Sequence, residues 1–298
     1  MKDNSVYLAK KGLLEQIHNL KDHFLDLSAS FALPHNTKSW KDLQNQSMRH
    51  SLEMELFGLK GAELTREKRK GMKYLTDAFN FGIQNYTGEL NNSLLVDLGS
   101  KIEPQFNSRG YRNCGCRLLR PNREGYYFPP SHEEIQDELD YFLFENNSIT
   151  NPLEKAGHAH FHISRIHPFG DGNGRVARLI QNIILQHGGY FPIVFKKQEK
   201  ITYISFLDSA VNSYNQAISS LENIPLFLEL KGNLIKSNFT NKEKEHYKSL
   251  SLRMLAKKLT SDVLKFCNFM LEKEKKILEL ECKKIEQVIK LNPHKIKK

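Results

Sequence analysis

His167-Pro168-Phe169-Gly170-Asp171-Gly172-Asn173-Gly174-Arg175-Val176-Ala177-Arg178 lies between two stretches whose apolar residues recur at helical spacing. Pro152 opens the first, which runs to Ile166; the second starts near Gly174, carries Val176, Leu179, Ile180, Ile183 and Ile184, and stops at Gly188-Gly189. The glycines at 170, 172 and 174 let the chain turn sharply and aim several N–H groups inward, just ahead of a helix whose first turn offers more of them. Such a loop cradles anions. Arg175 and Arg178, three apart on one helical face, add bidentate donors for phosphate oxygens, and Asp171 offers a hard oxygen ligand for Mg²⁺. His167, at the mouth of the loop, is suited to take a proton from an attacking hydroxyl.

Working outward, the chain reads as mainly α. Helices are expected from about Ser5 to Phe57, with a break at Leu33-Pro34-His35-Asn36 and a second stretch over Leu43 to Leu56. Others should run from Thr65 toward Tyr86, from Ser93 to Ile102, from Ser131 through Leu143, from Ile201 to Leu221 and from Pro225 to Leu230. Between them, Cys116 to Arg120 and Tyr126 to Phe128, around Pro121-Asn122-Arg123-Glu124-Gly125, form the one convincing strand pair. The tail from Lys242 places Leu252, Leu255, Leu259, Phe266, Met270, Ile277 and Leu280 at near-heptad steps, as in a long amphipathic helix or helical hairpin.

The loop matches the Fic signature, His-x-Phe-x-Asp/Glu-Gly/Ala-Asn-Gly/Lys-Arg-x-x-Arg, at every fixed position, and the chain resembles that family over roughly Thr65 to Leu230. Gly110-Tyr111-Arg112, Pro129-Pro130, His160-Phe161 and Gly189-Tyr190-Phe191-Pro192 carry the resemblance beyond the loop. It implies a Fic-type helical bundle with a short β-hairpin flap, as a catalytic domain over 59–235. An N-terminal helical region (1–58) and a basic helical tail (236–298) would flank it. The implied activity is transfer of AMP from Mg-ATP to a Ser, Thr or Tyr hydroxyl of another protein, with release of pyrophosphate. In that scheme His167 is the base, Asp171 holds Mg²⁺, and Asn173 meets the α-phosphate. Gly172 and Gly174 offer N–H groups, while Arg175 and Arg178 neutralise the distal charge. Phe169 would anchor the loop in the core. Tyr127 and Phe128 on the flap would contact the target segment, which adds as a strand. Tyr203 would face the adenine or simply pack. The Gly at 174 favours nucleotidyl transfer over the kinase-like branch that carries Lys there. UMP transfer, phosphocholine transfer and AMP removal stay open.

Fic proteins are often restrained by a helix bearing Ser/Thr-x-x-x-Glu-Gly/Asn. Ser51 and Glu55 have that spacing, with Leu56 in place of the small residue, so they are the expected inhibitory pair. Two competing readings remain. His158 and His162, at i and i+4, could hold the metal of a hydrolase, although no His-Glu-x-x-His is present; alternatively the chain is a binding module without catalysis.

Composition narrows the partners. From Thr240 to Lys298 there are sixteen Lys or Arg against eight Asp or Glu, so the tail holds +8 of the total net charge of +10. With acids interleaved throughout, a solvated helical face is expected there rather than a nucleic-acid or membrane contact. Lys2, Lys10 and Lys11 precede no long apolar run, and of the four cysteines the one close pair, Cys-x-Cys, suits neither a zinc knuckle nor a redox Cys-x-x-Cys, so all four read as reduced thiols. The expected partners are therefore ATP and a target protein, with self-modification and a homodimer as further options, in the cytoplasm.

Overall fold

The computed structural model describes residues 10–30, 38–56, 58–120, 125–221 and 261–291. Among these the chain forms helices α1 (Lys11–Ser30), α2 (Lys38–Glu53), α3 (Gly61–Asn85), α4 (Asn92–Ile102), a single turn α5 (Pro104–Asn107), α6 (Ile135–Ser148), α7 (Pro152–Ile166), α8 (Asn173–His187), α9 (Lys200–Leu221) and α10 (Ser261–Leu291). The strands β1 (Leu118–Leu119) and β2 (Tyr126–Tyr127) pair antiparallel, with Leu118 opposite Tyr127. The architecture is a helical bundle with one small hairpin. The expected break at Leu33–Asn36, the hairpin turn at Pro121–Glu124 and the helix at Pro225–Leu230 lie outside the described residues.

The centre of the bundle is the pair α7 and α8. Asn151 caps α7 by accepting from the N–H groups of Leu153 and Glu154, and Pro152 takes the first helical position, where its missing N–H costs nothing. From Leu153 to Ile166 only Lys155 escapes full burial, so α7 is covered on every side. α3, α4 and α2 cover α8, α6 packs on α7, and α9 and α10 close the far side. Phe142, Phe161 and Phe169 are 0–1 % exposed, and burying each contributes about 1.5–3 kcal/mol.

Two expectations need correction. Ser131 does not start α6: its N–H and hydroxyl both donate to the Glu134 carboxylate, closing a turn, and the helix begins at Ile135. The tail, where described, is amphipathic, with Lys265, Lys276, Lys283, Lys284 and Lys290 exposed, but its buried stripe is not the one the heptad names. Phe266 and Met270 are buried as the heptad spacing predicts, but Leu280 is 58 % exposed, and Leu271, Glu274, Leu278, Cys282 and Ile285 fill the buried stripe against α1 and α9. The buried Glu274 accepts from the Phe191 N–H, tying α10 to the segment that follows α8; burial pushes its carboxyl up to about 8.

Candidate active site

His167 ends α7 in the left-handed region (φ 53°, ψ 56°), the only non-glycine residue with positive φ among the described residues. A non-glycine residue held there costs of order 1 kcal/mol or more, and such strain gathers at functional sites. The ring Nδ1 lies 3.4 Å from the Ser164 carbonyl, which can only accept. The proton therefore sits on Nδ1, and the Nε2 lone pair is left for chemistry. Burial, reinforced by the Arg112 cation, lowers the His167 pKa to about 4 despite that bond, so the imidazole is neutral at pH 7.

The loop beyond it is stapled from inside. Phe169 packs on α4 at Gly99, where a Cβ would come within 2.2 Å of the ring. The Phe169 N–H donates to the Asn173 Oδ1 and the Asn173 Nδ2 donates back to the Phe169 carbonyl, both at 2.9 Å. Asn173 is 2 % exposed, so its side chain holds the loop's shape rather than standing ready for an α-phosphate. Gly172, with φ 80°, then starts α8, where an L side chain would be strained. Asp171 is 55 % exposed in its side chain; its carboxylate accepts from the Gly172 N–H at 2.6 Å and from Arg175 at 3.1 Å. One accessible carboxylate with room for water and phosphate oxygens is how Mg²⁺ is usually held, so Asp171 fits that ion.

The two arginines are both engaged. Arg175 bridges Asp171 and Glu103. Arg178, 5 % exposed, donates through Nε to the Ser51 hydroxyl at 2.7 Å and through Nη2 to the Glu55 carboxylate at 2.7 Å. Burial works to raise the Glu55 pKa, but Arg178, with Arg175 and Lys200 behind it, outweighs this and holds the carboxylate below its ordinary range. α2 ends at Glu53, so Glu55 reaches Arg178 from the turn after the helix rather than from its face. A Cβ on Gly174 would meet the Arg178 and Glu55 tips at 3.1 Å, so this position accepts little more than glycine while the pair is formed. Glu53 points elsewhere, to Lys68 at 2.8 Å.

Other expected site residues take different places. Tyr203 is 3 % exposed; its hydroxyl donates to His160 Nε2 at 2.8 Å and its ring lies 5.8 Å from the Arg178 guanidinium, so it backs that arginine from the core. Tyr127 is turned inward, donating from its hydroxyl to the Arg165 carbonyl, and it anchors the flap to α7. The rings the flap presents are Phe128 and Tyr126, 67 % and 43 % exposed. His158 and His162 are 2 % and 1 % exposed, which no hydrolytic substrate could reach.

Sequence reasoning left three organising residues without a role. Arg112 donates to the His167 carbonyl at 2.8 Å and to the carbonyls of Cys114 and Pro130, joining His167 to both ends of the flap. Asn107, fully buried, ties Gly99 and the Asp171 carbonyl through Nδ2 and accepts from the Gly170 N–H. Glu103 holds Arg175. The Gly110-Tyr111-Arg112 run was the one available signal.

His160 supplies a stability test. Fully buried, it donates from Nδ1 to Gln181 Oε1 at 2.5 Å and accepts from Tyr203 at Nε2, so it must be neutral; burial lowers its pKa to about 3. The unfolded chain binds this proton below about 6.5, whereas the folded chain does not, so stability is full above that pH and falls as pH drops toward 3. Urea unfolding between pH 7 and 5 should lose up to about 1.4 kcal/mol per pH unit from this histidine, and His160→Gln should flatten the slope. An unchanged slope in that variant would remove His160 as the cause.

Residues 88–185 match the family model described as Fic/DOC family. The chain is 35% identical over 88 residues to a protein adenylyltransferase Fic of Nematostella vectensis, covering 28% of this chain and 21% of that protein. It is 42% identical over 90 residues to one of Drosophila virilis, covering 29% and 19%. It thus spans about a fifth of the length of these relatives. Among solved structures, a Fic domain containing signaling protein from Bacteroides thetaiotaomicron superposes with a TM-score of 0.65 at 20% identity, over 91% of this chain and 97% of that one. A Fic family protein from Desulfovibrio desulfuricans gives 0.55 at 15% identity, over 84% and 74%. No described helix is long and apolar enough to cross a membrane. With the signature loop seated between α7 and α8 as above, residues 88–185 are a Fic domain of the Fic/DOC family.

Proposed function

We propose that this chain is a protein adenylyltransferase, moving AMP from ATP to a hydroxyl side chain of a protein, and that Glu55 restrains it. The reading rests on one observation: a neutral histidine with its Nε2 lone pair free is joined by one short loop to the N-terminus of α8, whose first turns carry Arg175 and Arg178. The relatives named protein adenylyltransferase Fic support the same chemistry. The target hydroxyl gives its proton to His167 Nε2 as its oxygen bonds to the α-phosphorus, and the bond from that phosphorus to the bridging oxygen breaks in line, releasing pyrophosphate. The backbone N–H of Gly174, that of Gly172 once the Asp171 carboxylate turns from it, and the guanidinium of Arg175 take the phosphate charge. Asp171 would hold Mg²⁺, which neutralises triphosphate charge when bound. Leu119, Tyr126 and Phe128 on the flap offer an exposed apolar edge for the target backbone. The four free cysteines fit a reducing compartment, and we take the cytoplasm.

The cleft beside the loop, lined by Glu55, Lys70, Tyr74, Asp171 and Arg175, holds about 200 Å³, small against the ~300–1,000 Å³ of ligand pockets. Glu55 walls it and occupies Arg178. Glu55→Gly should free the guanidinium and widen the cleft, raising labelling with ATP about tenfold or more, equivalent to ~1.4 kcal/mol. Glu53→Gly, which loses contacts to Lys68 and His50 but none to Arg178, should label at the parent rate. Equal labelling by both variants and the parent would sink the restraint. For the activity itself, a lysate incubated with the chain, ATP and Mg²⁺ should yield peptides carrying the mass of AMP. An adduct of another mass would reassign the transferred group, and no adduct even with Glu55→Gly would refute the transferase.

A further inference from the structure

Behind the catalytic loop, α6 and α7 bring together a group that this reaction does not use. Glu145 on α6 and His158 and His162, one turn apart on α7, each offer one ligand atom, and these atoms all lie within 4.8 Å of one another. His158 Nε2 is 3.8 Å from the Glu145 carboxylate, and the two imidazole centroids are 4.3 Å apart. Two donors on a tetrahedral zinc at ~2.0–2.1 Å stand ~3.4 Å apart, so small side-chain rotations close the set. All three residues are 1–2 % exposed, and the Phe142 ring stacks on both imidazoles, at 5.7 and 5.6 Å. We propose that Glu145, His158 and His162 bind a structural zinc ion that clips α6 to α7.

The neighbour of His158 supplies the second observation. Asn146, 0 % exposed, puts its amide 3.1 Å from His158 Nδ1, and its buried Oδ1 has no hydrogen-bond partner among the described residues. Amide oxygen and nitrogen exchange by a half-turn of the side chain. In the turned position Oδ1 accepts from Nδ1–H, which leaves the Nε2 lone pair directed toward Glu145, as the outer partner of a metal-bound histidine does. The turn gives up the Asn146 Nδ2 bond to the Lys155 carbonyl, an acceptor that the helical ladder of α7 also serves. Two neutral imidazoles and one carboxylate suit a borderline divalent ion such as zinc, whereas Mg²⁺ takes oxygen ligands. With its donors buried, such an ion acts on the fold rather than on a substrate. It would hold the helix that ends at His167.

The test uses the full chain without a polyhistidine tag, grown with zinc. Elemental analysis should give about one zinc per chain, retained in Asp171→Ala and in the double variant Cys114→Ser/Cys116→Ser, and lost in Glu145→Gln and His162→Phe. Stripping the unmutated chain with a chelator and returning one equivalent of ZnCl₂ should raise Tm by about 5 °C or more. Co²⁺ in place of zinc should show the visible absorption of a tetrahedral site, a readout that survives even if the variants fail to fold. A stripped chain that takes up no zinc and melts at one temperature with or without it overturns the proposal, and identifies the group as a buried imidazole–carboxylate pair. Zinc that stays in well-folded Glu145→Gln and His162→Phe overturns it equally, as an ion bound elsewhere.

Discussion

His167→Ala should lower the proposed adenylyl transfer by about 10²–10⁴-fold while nucleotide still binds, because the proposed base is removed and the phosphate donors are not. The donors are backbone N–H groups of a loop whose shape is set by Asn173, Asn107 and Phe169. The measurement is initial labelling rate against nucleotide affinity, in the Glu55→Gly background so that the parent rate is high. The pH profile adds a second readout: with its pKa near 4, His167 keeps its lone pair on acidification, so the acidic limb of kcat/KM should lie well below the 6.5 of a free imidazole. Unchanged labelling by His167→Ala removes it from the mechanism.

Asp171→Ala should stop transfer as completely, with a different signature. On the proposed scheme the exposed carboxylate offers the metal ligand, and it also pairs with Arg175. Removing it would lose the ion that offsets triphosphate charge, worth several kcal/mol at the transition state, yet would release a guanidinium to the phosphates. The expected outcome is therefore a fall in kcat of more than ~10²-fold with the KM for ATP unchanged or lower. Addition of Mg²⁺ should restore no activity to the variant, and zinc should not replace Mg²⁺ in the parent. Full activity of Asp171→Ala in excess chelator would show that no metal is held at this residue.

The parts of the molecule legible in the sequence are those in which one local rule decides. Pro152 and the apolar period after it placed α7 with its observed bounds, and the contiguous loop after it carried its chemistry in fixed spacing. The bounds of α6 were not legible, since Ser131 with Glu134 can equally close a turn, and the turn's two side-chain hydrogen bonds decided it. The tail misled for a related reason. A heptad ruler points to Leu280, whereas α10 follows the period of a straight helix and buries Leu278 and even Glu274, one oxygen of which accepts from the Phe191 N–H. In the site, what escaped came from elsewhere in the chain. Arg112, Asn107 and Glu103 act on the loop from segments some 55 to 72 residues away, and no pattern within the loop announces them. Tyr203 and Asn173 carry polar groups that resemble ligand contacts on paper, but burial gives those groups to His160 and to the backbone of Phe169.

The left-handed backbone of His167 means that one residue both terminates α7 and presents the imidazole. The direction in which the base points is accordingly a phase of the helix. Each residue added to or removed from α7 turns its end by ~100° and shifts it by ~1.5 Å, which would swing the ring away from the α8 terminus. The stretch from Asn151 to His167 is therefore a ruler of fixed length, and its seventeen positions can change in kind far more readily than in number.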